Sequence, residues 1–282
     1  MNRISITLIV GFGLLLITSM SAQNPTNPAK TQANLSTRNA QTAAFGVQDQ
    51  QLIDMMMPFV AGVGRAGSLD NLREQSVKPF MMPVREIEQV GTEMSYTLAA
   101  CLEFYFNQDN NYKINLSPDF ITLNLLGQNR ALQLKDAFQF LSQNGTVDSA
   151  ILPYGSQRLT NAVYNANKFR ITNYLHVFSP LTKSLQKMFE IRKALVRGNP
   201  VIVEFNADAS LAQANGKDTW VPQGTPSQVY PLAVVSFNED KKMVELMSPW
   251  GSDWGRAGYI WISYEHFGQM AQNGFVVLPV GQ

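Results

Sequence analysis

Apolar side chains recur at helical spacing in the middle of the chain and at strand spacing towards its end. Between Glu93 and Asn107 they are three and four positions apart, which predicts a helix with a wide buried stripe. Further helices are predicted from Pro118, with Ser117 as its N-cap, over 131–141 and over 185–196. Short β-branched and aromatic runs follow at 201–205, 232–237, 243–247 and 259–262. This order predicts an α+β protein with a helical half, an antiparallel β half and a cleft between them.

The beginning of the chain has the pattern of a secretory signal peptide, assigned to residues 1–22. Arg3 precedes an apolar run over 4–17, and small residues at 19–22 stand before Gln23. The alternative is a membrane anchor, but the run is shorter than the ~20 residues that a bilayer requires. A lipid anchor would need a Cys at the cleavage point, and the only Cys is Cys101. We therefore expect an exported protein, periplasmic or extracellular, that is not a lipoprotein and has no stable membrane span after cleavage.

Residues 23–68 are predicted to be a flexible Asn/Gln-rich linker followed by an apolar strap. Up to about Gln51 the segment has too few large apolar side chains to offset its ordering entropy. The apolar residues 55–60 either pack on the domain as a strap or fill a cleft as a plug. The folded domain is then expected over 69–282, with a helical lobe over about 69–170 and a β lobe over about 171–282.

Composition narrows the chemistry that the domain can carry. The chain has 282 residues and a net charge of +1, so a nucleic-acid surface, which needs clustered Lys and Arg, is not expected. One Cys and two His exclude an intramolecular disulfide and leave almost no set of side chains for a structural zinc site, and no cofactor is indicated. Cys101 lies within the apolar stripe of the first helix, where a small core residue is expected. His176 and His266 are expected to be structural or surface residues.

Two Trp-Gly pairs and a Gly-Tyr pair follow one another at fixed spacing near the end of the chain: Trp250, Gly251, Trp254, Gly255, Gly258 and Tyr259. Upstream lie Pro83-Val84-Arg85, Leu102-Glu103, Leu116-Ser117-Pro118, Leu152-Pro153-Tyr154 and Gly198-Asn199-Pro200-Val201. Together these motifs resemble the bacterial branch of the papain-like cysteine peptidases, peptidase family C1. The resemblance implies a two-lobed fold in which a long central helix belongs to an N-terminal helical lobe and packs beside a C-terminal antiparallel β lobe.

The resemblance also assigns the positions of the catalytic residues. In that family a Cys thiolate attacks the carbonyl, a His moves the proton, an Asn orients the His and a Gln donates to the oxyanion. Aligned without a gap from Pro83 to Glu103, the Cys position holds Glu93 and the Gln position holds Ile87. Counting back from Val235-Ser236-Phe237 gives Tyr230 at the His position, and Ser248, two residues before Trp250, takes the Asn position.

A rival register, shifted by two residues, places Gln89 at the oxyanion position and Ser95 at that of the nucleophile. In this register the family's first motif no longer matches Pro83-Val84-Arg85, Gly91 and Leu102-Glu103. In either register the base position holds Tyr230, whose ordinary pKa of about 10 does not suit a base at neutral pH.

The resemblance therefore implies an exported pseudopeptidase, with the fold of a cysteine-type peptidase, that binds a peptide or an exported protein in its interlobe cleft. One alternative is an active hydrolase with a rebuilt centre that uses Ser95 or Glu93 with Tyr230. Another is a structural subunit of a cell-envelope assembly. For Glu93 two roles are open. It is either an acid that begins a helix, or a hydrogen-bond partner of Tyr230 that holds the two halves together.

Overall fold

The computed structural model describes residues 43–67, 72–109, 113–125 and 133–281. The predicted signal peptide at 1–22 and most of the predicted linker lie outside these residues. Within the described ranges, no helix combines the length and the apolar character that crossing a bilayer requires.

The described residues contain seven α-helices and a short 3₁₀ turn at Lys78–Phe80. The helices are α1 Gln50–Met56, α2 Glu93–Asp109, α3 Pro118–Leu125, α4 Leu134–Gln143, α5 Ala162–Asn165, α6 Ser184–Val196 and α7 Tyr264–Met270. The four helices predicted from apolar spacing are α2, α3, α4 and α6. Ser117 caps α3 as predicted, because its Oγ accepts the Phe120 N–H at 3.3 Å. Helix α4 begins three residues later than predicted, where Gln133 and Asp136 form a capping box.

Seven strands form one antiparallel sheet in the order β2-β7-β3-β4-β5-β6, with β1 paired to the far end of β4. The strands are β1 Glu74–Ser76, β2 Ile171–Phe178, β3 Val201–Ala207, β4 Gln228–Asn238, β5 Met243–Met247, β6 Tyr259–Ser263 and β7 Ala271–Pro279. The four predicted strands are β3 to β6, and the apolar run around His176 is β2. The predicted α+β class is confirmed, although α6 and α7 belong to the β half.

Helix α2 packs across the sheet and joins the two halves. Near its start Thr97 Oγ1 donates to the Pro231 carbonyl at 2.8 Å, and further along Tyr105 Oη donates to Asn199 Oδ1 at 2.9 Å. Cys101 lies between these two contacts and is completely buried. It is therefore the core residue that its place in the apolar stripe predicted.

Residues 43–67 lie against β2 and the end of α6. The Val47 N–H donates to the Tyr174 carbonyl at 3.0 Å, so the segment covers the free edge of β2. Asn199 Nδ2 donates to the Pro58 carbonyl at 2.8 Å. Residues 55–60 thus contact the chain at the end of α6.

A short helix begins within the described residues close to the linker boundary predicted at about Gln51. Asp49 Oδ1 accepts the Leu52 N–H at 2.9 Å and begins α1 at Gln50. Ile53 and Met56 of this helix are buried. Composition alone does not predict such a helix. Two buried side chains and an N-cap are enough to stabilise a short helix that packs on a neighbouring surface.

Candidate functional site

Glu93 is the first residue of α2 and lies at the boundary between the two lobes. Its side chain is 9% exposed, and Oε2 accepts the Gly91 N–H at 2.8 Å. A tight turn prepares this contact, since Thr92 Oγ1 donates to the Gln89 carbonyl at 2.6 Å and Gly91 has a φ of +95°. The free N–H groups and the dipole at a helix start stabilise a carboxylate, so the turn and the helix together fix Glu93 in place.

Tyr230 lies on β4 and is 4% exposed. Its hydroxyl donates to Gln228 Oε1 at 3.4 Å, and its ring meets the Trp250 ring edge to face with the centroids 5.1 Å apart. Burial raises the pKa of Tyr230, and the negative charges of Asp208 and Glu93 raise it further. The hydroxyl therefore stays protonated at neutral pH.

The hypothesis of a hydrogen bond between Glu93 and Tyr230 is wrong. The polar atoms of the two side chains have other partners, Gly91 for Glu93 and Gln228 for Tyr230. The two groups are still near neighbours, because the Glu93 charge acts on the pKa of Tyr230. The hydrogen bond between the lobes is made one helical turn further along, by Thr97.

Ser248 and Ile87 contact the segment Pro249-Trp250. Ser248 is 2% exposed, and its Oγ accepts the Trp250 N–H at 3.2 Å. The Ile87 N–H donates to the Pro249 carbonyl at 2.8 Å. The segment before α2 is thereby tied to the loop after β5. Ile87 has no polar side-chain atom, so it cannot donate to an oxyanion as the Gln of the family does.

The four positions of the unshifted register therefore lie near one another, and both Tyr230 and Ser248 contact Trp250. In the rival register, Gln89 lies in the exposed turn before α2, and Ser95 is the third residue of the helix. Ser95 is 3% exposed. The family's nucleophile uses the start of a helix, and the residue at the start of α2 is Glu93.

The Trp-Gly motif shapes the loop between β5 and β6, which contains Ser248 and Trp250. Trp254 is completely buried and its Nε1 donates to the Leu211 carbonyl at 2.7 Å. Gly255 has a φ of +58°, and a Cβ there would lie 2.1 Å from the Tyr259 carbonyl oxygen. No side chain other than hydrogen fits at that position, so this glycine lets the loop close on β6.

The single Cys and both His of the chain lie outside the four positions of the unshifted register. Burial raises the pKa of the Cys101 thiol to about 12. His176 on β2 shares a hydrogen bond of 2.9 Å between its Nε2 and Asn273 Oδ1. The His266 N–H donates to Ser263 Oγ at the start of α7. Neither histidine is hydrogen-bonded to a residue at the four catalytic positions.

A cavity of about 20 Å³ lies between the lobes below Ser248. Tyr96, Thr97 and Ala100 of α2 line one side, and residues 247–249 line the other. This volume holds about one water molecule. Within the described ranges, no three His, Cys, Asp or Glu side chains are placed to hold a metal ion.

Sequence reasoning missed two polar neighbours of Tyr230. Gln228 lies two residues earlier on the same strand, so strand alternation would have placed it on the same side as Tyr230. Asp208 follows β3 and is held by the Ser210, Gln223 and Gly224 N–H groups. No local signal in the sequence places Asp208 near Tyr230.

Comparison with known proteins gives the same family as the motifs. The model of the family "Papain family cysteine protease" matches residues 78–279. Zingipain-2 of Zingiber officinale is 30% identical over 131 residues, which are 45% of this chain and 56% of zingipain-2. The matched part thus spans about half the length of that relative.

Solved structures share the fold. Xylellain, a cysteine protease from Xylella fastidiosa, superposes with a TM-score of 0.64 at 17% identity, over 84% of this chain and 97% of xylellain. The bromelain protease of Ananas comosus, solved with the inhibitor E64, gives 0.60 at 19% identity, over 73% and 99% of the two chains. The central helix, the antiparallel sheet and the matched family model together show that the chain belongs to the papain family of cysteine proteases.

Proposed function

We propose that this protein is a pseudopeptidase, a non-catalytic member of the papain family that binds a peptide or an exported protein in its interlobe cleft. The proposal is carried by the four side chains at the catalytic positions. Glu93, Tyr230, Ser248 and Ile87 stand there, and none of them can take over the role of the residue it replaces.

The environment of these side chains supports the loss of catalysis. A nucleophile must reach the substrate, whereas Glu93, Tyr230 and Ser248 are at most 9% exposed. Tyr230 keeps its proton because its pKa is raised above the ordinary value, so it does not act as a base near neutral pH. Cys101 is buried in α2 and remains a thiol.

The alternative of a rebuilt centre finds little support in the contacts of its residues. A serine nucleophile needs an adjacent base. The Tyr230 hydroxyl donates to Gln228, and Ser95 is buried in the first turn of α2. If a rebuilt centre existed, replacing Ser95 with Ala or Tyr230 with Phe would abolish a measurable activity.

Exposed apolar side chains lie near Glu93 and Tyr230 in the sequence and support a binding role. Val90, three residues before Glu93, is 84% exposed, and Val229, next to Tyr230, is 49% exposed. A peptide lying along the boundary would cover both. The predicted signal peptide at 1–22 supports binding outside the cytoplasm, in the periplasm or the extracellular space.

Two measurements on the purified protein without residues 1–22 test the proposal. Intact-mass analysis after treatment with a Cys-directed epoxide should show no adduct, and an adduct on the native protein would contradict the loss of catalysis. A library of capped hexapeptides should contain members that bind, and binding should weaken in the variant Val229→Asp. The matched control Val221→Asp alters another exposed valine, on the loop between β3 and β4, and should bind like the original.

A further inference from the structure

A row of half-buried side chains crosses four neighbouring strands beside the catalytic positions. Pro231 of β4 is paired with Glu204 of β3, and Glu204 is paired with Asn273 of β7. His176 of β2 completes the row through its hydrogen bond to Asn273. All four residues are partly exposed.

The row lies on the face of the sheet that meets the helical lobe. Residues two apart in a strand share a face, so Pro231 points to the same side as Ala233, which lines the interlobe cavity with Ala100 of α2. The Pro231 carbonyl accepts the hydrogen bond from Thr97. The row therefore begins at the lobe boundary, one residue from Tyr230, and leads away from it across the sheet.

Glu204 is held in a fixed orientation within this row. Asn273 Nδ2 donates to Glu204 Oε2 at 2.6 Å, and Asn273 Oδ1 is 2.9 Å from His176 Nε2. The His176 ring in turn stacks on Phe275 at 4.8 Å between centroids. Since each group in the chain is positioned by the next, the carboxylate does not need to reorganise to receive a ligand.

Among the described residues Glu204 takes part in no salt bridge, and Asn273 is its hydrogen-bond donor. Burial lowers the pKa of His176, so that ring is neutral at neutral pH, and Lys135 acts on His176 from the side of α4. A half-buried carboxylate without a counter-charge is costly, and a cation from outside would remove that cost.

We infer that Glu204 selects a basic side chain, Lys or Arg, in a peptide bound along the interlobe cleft. The inference rests on the proposed peptide binding. An ammonium or guanidinium group pairs with a carboxylate through charge-assisted hydrogen bonds, whereas a neutral or acidic side chain at the same place leaves Glu204 uncompensated. Glu204 is thus a specificity-determining residue of the cleft.

The test is fluorescence anisotropy with labelled, capped hexapeptides in pairs that differ only by Lys against Gln at one position. In at least one position the Lys peptide should bind about tenfold tighter or more. The variant Glu204→Gln should bring that ratio close to one, because Gln keeps the length and an acceptor for Asn273 but has no charge. The control Asp240→Asn removes an exposed carboxylate that pairs with Arg73 and should keep the ratio.

A second measurement, the salt dependence of peptide binding, uses the wild-type protein and needs no variant. Raising NaCl from about 0.05 to about 0.5 M should reduce the Lys-to-Gln ratio, because salt screens the charge pair. Binding without any preference for Lys, or a preference that survives Glu204→Gln in folded protein or is insensitive to salt, would overturn the inference and leave peptide binding intact. A library in which no peptide binds would overturn both.

Discussion

Arg85 and Glu103 form a buried ion pair that ties the segment before α2 to the middle of that helix. Arg85 Nη2 donates to the two carboxylate oxygens at 2.7 and 2.6 Å, and also to Asn115 Oδ1 at 2.9 Å. The Glu103 side chain is fully buried and accepts the Leu116 N–H at 2.6 Å. Two of the motifs that carry the family resemblance thus meet in space and hold the start of α2 in position.

Removing one partner of this pair should destabilise the protein strongly. We expect Arg85→Ala to lower the free energy of unfolding by about 3–5 kcal/mol, because Glu103 is then left charged and buried. Urea unfolding followed by circular dichroism measures the change. The control is Arg256→Ala, which breaks the exposed pair with Asp218 and should cost about 1 kcal/mol or less. Equal losses of unfolding free energy in the two variants would show that the Arg85–Glu103 pair does not stabilise the start of α2.

Cys101 should react with thiol reagents only after unfolding. Its side chain is completely buried, and burial raises its pKa to about 12, so the thiolate is absent at neutral pH. With a chromogenic disulfide reagent we expect no release from native protein at pH 8 and one thiol per chain in concentrated urea. A thiol that reacts rapidly in the native state would place Cys101 at the surface, contrary to the structure.

The effects of Glu93→Ala and Tyr230→Phe on unfolding should add. The two side chains lie close together but bond to different partners, so the double variant should match the sum of the single ones within about 0.5 kcal/mol. A chemical denaturation series on the three variants gives the coupling energy. A coupling of about 1 kcal/mol or more would restore the hydrogen bond between the lobes that the contacts do not contain.

Gly255→Ala should destabilise the protein far more than Gly216→Ala. Both glycines have positive φ, so both substitutions strain the backbone. At Gly255 the new Cβ would also lie 2.1 Å from the Tyr259 carbonyl, whereas at Gly216 nothing lies within 4 Å. We expect about 1 kcal/mol for Gly216→Ala and several times that for Gly255→Ala, measured by thermal and urea unfolding. Similar losses at the two sites would mean that the loop relaxes around the extra carbon.

Acidification should weaken the protein through His176. Burial lowers its pKa in the folded state, against the opposing effects of Asn273 and Glu204. A histidine with a depressed folded pKa contributes stability above its unfolded pKa of about 6.5 and loses it as pH falls further. The variant His176→Gln, which keeps a donor for Asn273, should flatten the fall in unfolding free energy below pH about 6.5. An unchanged pH profile would show that His176 is not the group responsible.

The sequence predicted the elements whose side-chain period is long and regular. Helix α2 and strands β3 to β6 are of this kind, because a buried face leaves a continuous pattern of apolar residues. Strand β7 was missed because the polar residues Gln272 and Asn273 lie near its start. The partners of Asn273, Glu204 and His176, are far away in the chain. Helix α1 was missed because it depends on the surface of β2 and α6 rather than on its own composition.

The sequence could name the residues of the candidate site but could not predict their contacts. Motif alignment led to Glu93, Tyr230, Ser248 and Ile87, which the fold brings to one boundary. It could not foresee that the turn at Gly91 gives Glu93 its own hydrogen bond, or that Tyr230 reaches Gln228. Such partners depend on side-chain rotamers and backbone turns, which spacing does not encode.

Peptide turnover tests the central claim, the loss of catalysis in a papain-family fold, most directly. Purified protein and the variant Cys101→Ser are incubated with a fluorogenic peptide library, with an active papain-family protease as the positive control. We expect no cleavage above the buffer rate for either protein. Cleavage that rises in proportion to protein concentration, and that Tyr230→Phe or Ser95→Ala abolishes, would contradict it.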